Sequence, residues 1–416
     1  MDRVSSQALT YGQIINLVRV GGADTRPAIE QETRLGRKLV AQRVQQAIDV
    51  GLLEDYDFAS SSGGRPSRRL RFRAAAGHVY AGVIGATEIT AAVTTLDGQL
   101  VDSVHEDWDA ADRPQETLEV LDGLFQKLAR RTKTVPWAFG IGVGGPVEFG
   151  SGRLVAPPIM PGWNDVSVRG WLRERYDAPV WVDNDVNLMA LGEWHKGEPR
   201  DGRDLLYFFG DEGVGAGLVS GGAVFRGASG AAGDLGHIQV AAGENLVCRC
   251  GLVGCLEAVA GGWGLAREAT RRAAESPRLQ AILAARGRLT SQDIGLAAAA
   301  GDELASELAV RAAHEFGEVA GSLINFVNPG TVVLGGGILR AGDLAIAEFW
   351  KTIRNRTSVL AARNLRMRTS SLGFREGVIG AALLAIEQLF APGSLGVWIE
   401  NGSPTGFAAP LHRLAS

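Results

Sequence analysis

Three times along this chain an apolar run that reads as a strand is broken by a glycine-rich turn: FGIGVGGPVEFGSG, LLYFFGDEGVGAGLVSGG and NPGTVVLGGGIL. Glycine at a strand end lets the backbone turn sharply and brings its N–H groups close to a ligand, often a phosphate. One such turn constrains little, because glycine also serves tight turns with no ligand. Repeated and interleaved with helical stretches, they predict a two-lobed α/β body with a cleft at the strand ends. A dinucleotide-binding fold does not fit, since no Gly-x-Gly-x-x-Gly opens a helix with an acid about 20 residues on. Ahead of the first turn, YAGVIGATEITAAVTTLDGQLV reads as two alternating strands, with a third following.

The 416 residues exceed what one core usually holds, and the charge is uneven. Residues 1–75 carry 12 Lys and Arg against 8 Asp and Glu; the remainder carries 30 against 38. A basic start on an acidic body points to a polyanion partner, or to a solvated basic face. The pattern favours the polyanion. Apolar spacing predicts a helix from Ser6 to Val20, a short one from Thr25-Arg26-Pro27 to Arg34, and a third over RKLVAQRVQQAIDV. In the third, Val40, Val44, Ala47 and Ile48 form the apolar stripe. Arg37, Lys38, Gln42 and Arg43 are then free to face outward, as in a helix-turn-helix recognition helix. Strands at Leu52-Leu53 and Leu70/Phe72 around a Ser/Gly turn make a wing. Arg65, in Gly63-Gly64-Arg65-Pro66, and Arg68 are placed to meet DNA there.

All three cysteines fall within LVCRCGLVGCLEAV, as Cys248, Cys250 and Cys255. Three is odd and the spacing too tight for a disulfide framework. Three thiolates on a glycine-bearing loop suit zinc, which wants a fourth ligand, and His237 in GDLGHIQV is the natural one. Such a Cys3His site is closed and structural. In WVDNDVNLMALGEW, Asp183, Asn184, Asp185 and Asn187 crowd the end of a strand. A carboxylate there can act as a base on a hydroxyl; Asn and Asp are equally good helix caps, so one residue can do each job.

These segments together resemble the ROK group of bacterial repressors and sugar kinases. GDLGHIQV…CRCGLVGCLE is similar to that family's signature, and PPIMPGWNDV, VDNDVN, GVGAGLV and NPGTVVLGGGIL resemble its other motifs in order. The N-terminal winged helix with GGRP resembles the repressor branch. The resemblance covers residues from about 6 to 390. It implies a winged helix-turn-helix over 1–76, then the two-lobed actin-like/ribonuclease-H-like kinase fold. The lobes would be 77–183, completed by a helix at 376–390, and 184–375 with the zinc loop. The tail 391–416 matches nothing in the family and is expected to be disordered. Sugar contacts would fall on Asn184, Asp185, Asp234, His237 and Glu257, with Asp185 the base if the chain is a kinase. Asp234 stands where the family usually has Glu.

Two departures bear on catalysis. The kinases carry Asp-Ile-Gly-Gly-Thr where this chain has Val83-Ile84-Gly85-Ala86-Thr87, and Gly-Thr-Gly where it has Asp211-Glu212-Gly213. Val83 lacks the carboxylate that organises metal and phosphates, and Glu212 adds a like charge. Two unit charges about 4 Å apart repel by roughly 4 kcal/mol at an effective dielectric of 20. The expectation is a sugar-responsive DNA-binding repressor without kinase activity. It would hold structural Zn2+, bind operator DNA as a homodimer or tetramer, and take a small-molecule sugar as effector. An active sugar kinase that also binds DNA, or a regulator answering to a partner protein, are the rivals. No leader or run of roughly 18 apolar residues is evident, so a cytoplasmic location away from membranes is expected.

Overall fold

The computed structural model describes residues 6–58, 67–198 and 204–415. Helices Ser6–Arg19, Arg26–Thr33 and Arg37–Asp49 precede an antiparallel pair, Leu53–Phe58 with Arg68–Phe72. Thr25 starts the second helix by accepting the Ala28 N–H, and Pro27 occupies its first turn, where no N–H is needed. Arg34 ends that helix in the left-handed region at φ 55°, and Gly36 opens the third. Ile14, Ile15, Ile29, Val40, Val44, Leu52 and Leu70 are buried together, which makes the winged helix-turn-helix a packed unit.

The body contains two five-stranded sheets of one design. The first runs Leu100–Asp107, Glu88–Thr95, His78–Ile84, Pro136–Val143, Val180–Asn184. The second runs Ala223–Val224, Val214–Ser220, Leu205–Gly210, Thr331–Gly335, Arg366–Thr369. In each, three antiparallel strands continue into two parallel ones. This is the actin-like arrangement, and the glycine turns lie at the strand ends where ligands bind. Helices Asp185–Lys196 and Glu376–Leu389 pack against each other beside the first sheet. A Cβ on Gly380 would stand 1.7 Å from the Leu188 carbonyl oxygen, so only glycine permits this approach. Among the described residues no single helix is long and apolar enough to cross a membrane.

The tail overturns its expectation. Pro392–Trp398 and Ala408–Ala415 are helices, and Leu395, Trp398, Ile399 and Leu411 are buried. The Trp398 ring meets Trp137 of the first lobe edge-on at 5.7 Å and Phe390 at 5.6 Å, and Phe390 meets Phe72 of the wing at 5.5 Å. Asn16 donates to the Phe390 carbonyl at 2.9 Å, and the Val180 N–H donates to His412 Nε2 at 2.8 Å. The reason is apolar content: Leu395, Trp398, Ile399 and Leu411 have surface to bury, despite the Gly, Pro and Ser between them. One continuous core therefore runs from the winged helix through the tail into the first lobe.

Candidate functional site

The cleft between the sheets is lined by all five residues that the family resemblance marks for a sugar: Asn184, Asp185, Asp234, His237 and Glu257. About 650 Å3 of space not filled by protein atoms lies among these groups, part of it open to solvent. Strand Val180–Asn184 delivers the first two. Asn184 caps helix Asp185–Lys196, its Oδ1 accepting from the Val186 and Asn187 N–H groups. Its Nδ2 donates to the Gly145 carbonyl at 3.0 Å and to Asp185 Oδ1 at 3.1 Å. The amide is thus committed to capping and to orienting Asp185. Burial pushes the Asp185 carboxyl up to about 6; the Val186 N–H opposes this and Glu88 adds to it.

Glu257 enters from helix Leu256–Ala260, buried, with Oε2 accepting from the Val214 N–H and Oε1 from Trp263 Nε1, both at 3.3 Å. Burial raises its pKa while His237 pulls it down. Asp234 is raised by burial and lowered by His237, whose Nε2 lies 3.7 Å from its Oδ1. The other nitrogen of His237, Nδ1, lies 3.8 Å from Cys248 Sγ. One imidazole therefore touches the cleft with one nitrogen and the cysteine loop with the other.

The donor atoms of His237, Cys248, Cys250 and Cys255 all lie within 4.8 Å of one another, and Cys250 and Cys255 sulfurs are 3.7 Å apart. Tetrahedral thiolates at about 2.3 Å from an ion stand about 3.8 Å apart, so the set fits a four-coordinate cation. The loop achieves this through positive φ at Gly251 and Gly254, with Cys255 leading into the Glu257 helix.

The turn after strand Leu205–Gly210, beside the Glu257 helix on the same lobe, is acidic: a Cβ on Gly262 would stand 2.9 Å from the Asp211 carbonyl oxygen. Burial pushes Asp211 up to about 6; Arg340, 3.8 Å away, opposes this, and Glu88 and Glu212 add to it. Burial raises Glu212 too, while Arg249 of the cysteine loop pairs with it at 3.4 Å. Val83 packs on the Glu376–Leu389 helix: a Cβ on Gly377 would sit 3.2 Å from its Cγ2. Glu88 and the Glu212–Arg249 pair were not singled out from the sequence. Glu88 stands directly after the Gly85-Ala86-Thr87 turn and was open to the same charge argument.

On the winged helix, Arg37, Lys38 and Gln42 are exposed along one face. Arg43 is corrected: it lies 4.8 Å from the centre of the Tyr11 ring and bonds Gln46 at 2.8 Å, so it turns inward. Sequence spacing placed it off the apolar stripe but could not show that Tyr11 from the first helix covers it. Arg68 is exposed, 3.6 Å from Asp55, while Arg65 lies outside the described residues.

A winged helix joined to a two-lobed, actin-like body with this cleft defines the class of sugar kinases and the regulators built on their fold. The chain belongs to the ROK family, whose domain it matches over residues 80–388. It is 34% identical to a glucokinase of Halalkalibacterium halodurans, over 74% of this chain and 95% of that one. It is 26% identical to a xylose repressor of Caldicellulosiruptor bescii, over 88% and 92%. A crystal structure of a ROK family transcriptional regulator, described as a homolog of the E. coli MLC protein, superposes with a TM-score of 0.77. That match has 25% identity and covers 95% of this chain and 99% of the regulator.

Proposed function

We propose that this chain is a sugar-responsive transcriptional repressor that binds operator DNA through its winged helix and a free sugar in its cleft, without phosphoryl transfer. The observation that carries it is the acidic rim. Phosphoryl transfer depends on neutralising phosphate charge. Here Glu88, Asp185, Asp211 and Glu212 gather around the turns a kinase would use, and Val83 fills the place of its first carboxylate. The retained polar groups suit hydroxyls: Asp185, Asp234 and Glu257 accept, and His237 bridges to the loop. Arg37, Lys38 and Gln42 are the groups offered to the major groove, with Arg68 on the wing and Arg65 shortly before it in the sequence. A homodimer would place two recognition helices on two half-sites. The ion is zinc, held by His237, Cys248, Cys250 and Cys255, closing the loop that carries Glu257. A sugar that prefers one lobe arrangement shifts the population, and the winged helix moves with the first lobe.

A second reading, an active kinase, is favoured by Asp185 and by the likeness to a glucokinase. One experiment separates them. Duplexes selected from a random pool are titrated with the protein, with and without D-glucose or D-xylose, and ATP turnover is followed on the same sugars. A change in DNA affinity of about tenfold without turnover is the expected result. Turnover abolished by Asp185→Asn establishes the kinase reading. No sugar effect on DNA removes the proposed sensor.

The cleft has a pH signature. Asp185 accepts a sugar hydroxyl as the carboxylate, and burial sets its pKa at about 6. Sugar affinity is therefore expected to hold above 6 and to fall about tenfold per pH unit below it. Calorimetric titration from pH 5 to 8 checks this; Asp185→Asn removes the dependence along with most of the affinity.

A further inference from the structure

Asp183 and Arg226 stand on opposite lobes. Asp183 belongs to strand Val180–Asn184 of the first sheet, and Arg226 follows strand Ala223–Val224 of the second. Both Nε and Nη2 of Arg226 lie 2.7 Å from Asp183 Oδ2. The Asp183 side chain is 2% exposed, and its Oδ1 accepts from the Asn184 N–H at 2.8 Å and from Asn187 Nδ2 at 3.1 Å. The same guanidinium lies 4.0 Å from the ring centre of Phe149, again of the first lobe. The residues after Arg226 then turn back. Ala232 N–H donates to the Arg226 carbonyl at 3.2 Å, and Gly230, at φ 89°, presses on Val147. A Cβ at Gly230 would stand 2.5 Å from the Val147 carbonyl oxygen. This loop supplies Gly230 to Asp234 as one wall of the cleft, and His237 follows.

We infer that Arg226 is a positioning residue: its pair with Asp183 latches the 227–234 loop onto the first lobe and so sets the affinity of the cleft for its ligand. Separation would leave a carboxylate buried without a charge partner, which strongly disfavours half-open states. The latched and unlatched forms differ by a discrete contact, the kind of element a ligand can select. A ligand touching both Asp185 on the first lobe and Asp234 on the loop favours the latched form. Its apparent affinity is reduced by whatever fraction is unlatched. The ligand's identity as a sugar rests on the function proposed above; the latch does not.

The test is amide hydrogen exchange on the full-length, zinc-loaded protein without sugar. Arg226→Ala is expected to speed exchange in residues 227–234 by on the order of tenfold or more. Rates in 248–255 and 37–49, and zinc content, stay as in the wild type. Asp183→Asn has a similar effect, and the double variant is no worse than either single one, because no unpaired charge remains. Arg226→Lys, which keeps the charge, recovers part of the protection. Wild-type exchange in 227–234 for Arg226→Ala, or additive effects in the double variant, would overturn the latch. If Arg226→Ala does not fold, Arg226→Lys carries the test: faster exchange confined to 227–234 supports the latch, and wild-type rates sink it. D-glucose is then titrated into wild type and variant. A weaker affinity in the variant extends the latch to binding, equal affinities refute that extension, and no binding to the wild type counts against the proposed function alone.

Discussion

Cys250→Ser is expected to release the zinc proposed for the cysteine cluster and lower the melting temperature by roughly 10 °C, since structural zinc contributes folding free energy outright. Burial, with Cys250 and Cys248 beside it, pushes the Cys255 thiol up to about 12. Three crowded sulfurs can ionise together only around a cation, so ion and thiolates stand or fall together. Elemental analysis should fall from one zinc per chain to none. The loss reaches the cleft along a short path: His237 lies against Cys248 with Nδ1 and faces Asp234 with Nε2, and Cys255 leads into the helix bearing Glu257. Sugar binding should therefore disappear, while the winged helix, which shares its core with the tail and first lobe instead, still binds DNA. Stoichiometric zinc in the variant would refute the Cys3His assignment.

The cluster and the cleft were legible in the sequence for one physical reason. Ligands to an ion must sit within a few ångströms, so a short loop that holds Cys248, Cys250 and Cys255 announces itself. Asp185 and Glu257 stand beside glycine turns and strand ends whose periodicity is local. Contacts across long separations were not legible. Spacing alone leaves Arg43 free, whereas the Tyr11 ring of the first helix covers it, and Arg226 finds Asp183 across 43 residues. The departures at Val83 and Glu212 were visible as residues, yet that Arg249 of the cysteine loop answers Glu212 needed the fold. The tail's order is not legible because it matches no family motif, and its four apolar side chains find their partners in two other domains.

Deleting residues 391–416 is expected to cost the protein its cooperative attachment of the winged helix. Trp398, Leu395, Ile399 and Leu411 are each buried, and each such side chain contributes about 1.5–3 kcal/mol on burial. Their removal also uncovers Trp137, Phe390 and the side of helix Ser6–Arg19 that they pack on. The truncated chain should melt in two steps in calorimetry, with the winged helix released first. DNA affinity should fall at least about tenfold, and its response to sugar should vanish, because the first lobe no longer carries the recognition helices with it. Trp398→Ala, which opens a cavity worth about 3–5 kcal/mol, should reproduce much of this without shortening the chain. The attachment also has an acid limit. Burial, with Arg173 and Arg169 nearby, holds the His412 imidazole down at about 4, so it stays neutral and accepts the Val180 N–H. The unfolded imidazole takes a proton first, near about 6.5. Stability from this contact is thus fully present above 6.5 and is lost as pH falls from there towards 4. His412→Gln should flatten that part of the acid profile. A truncated protein with a single transition at the wild-type temperature and unchanged DNA affinity would show that the tail packs on the junction without holding it.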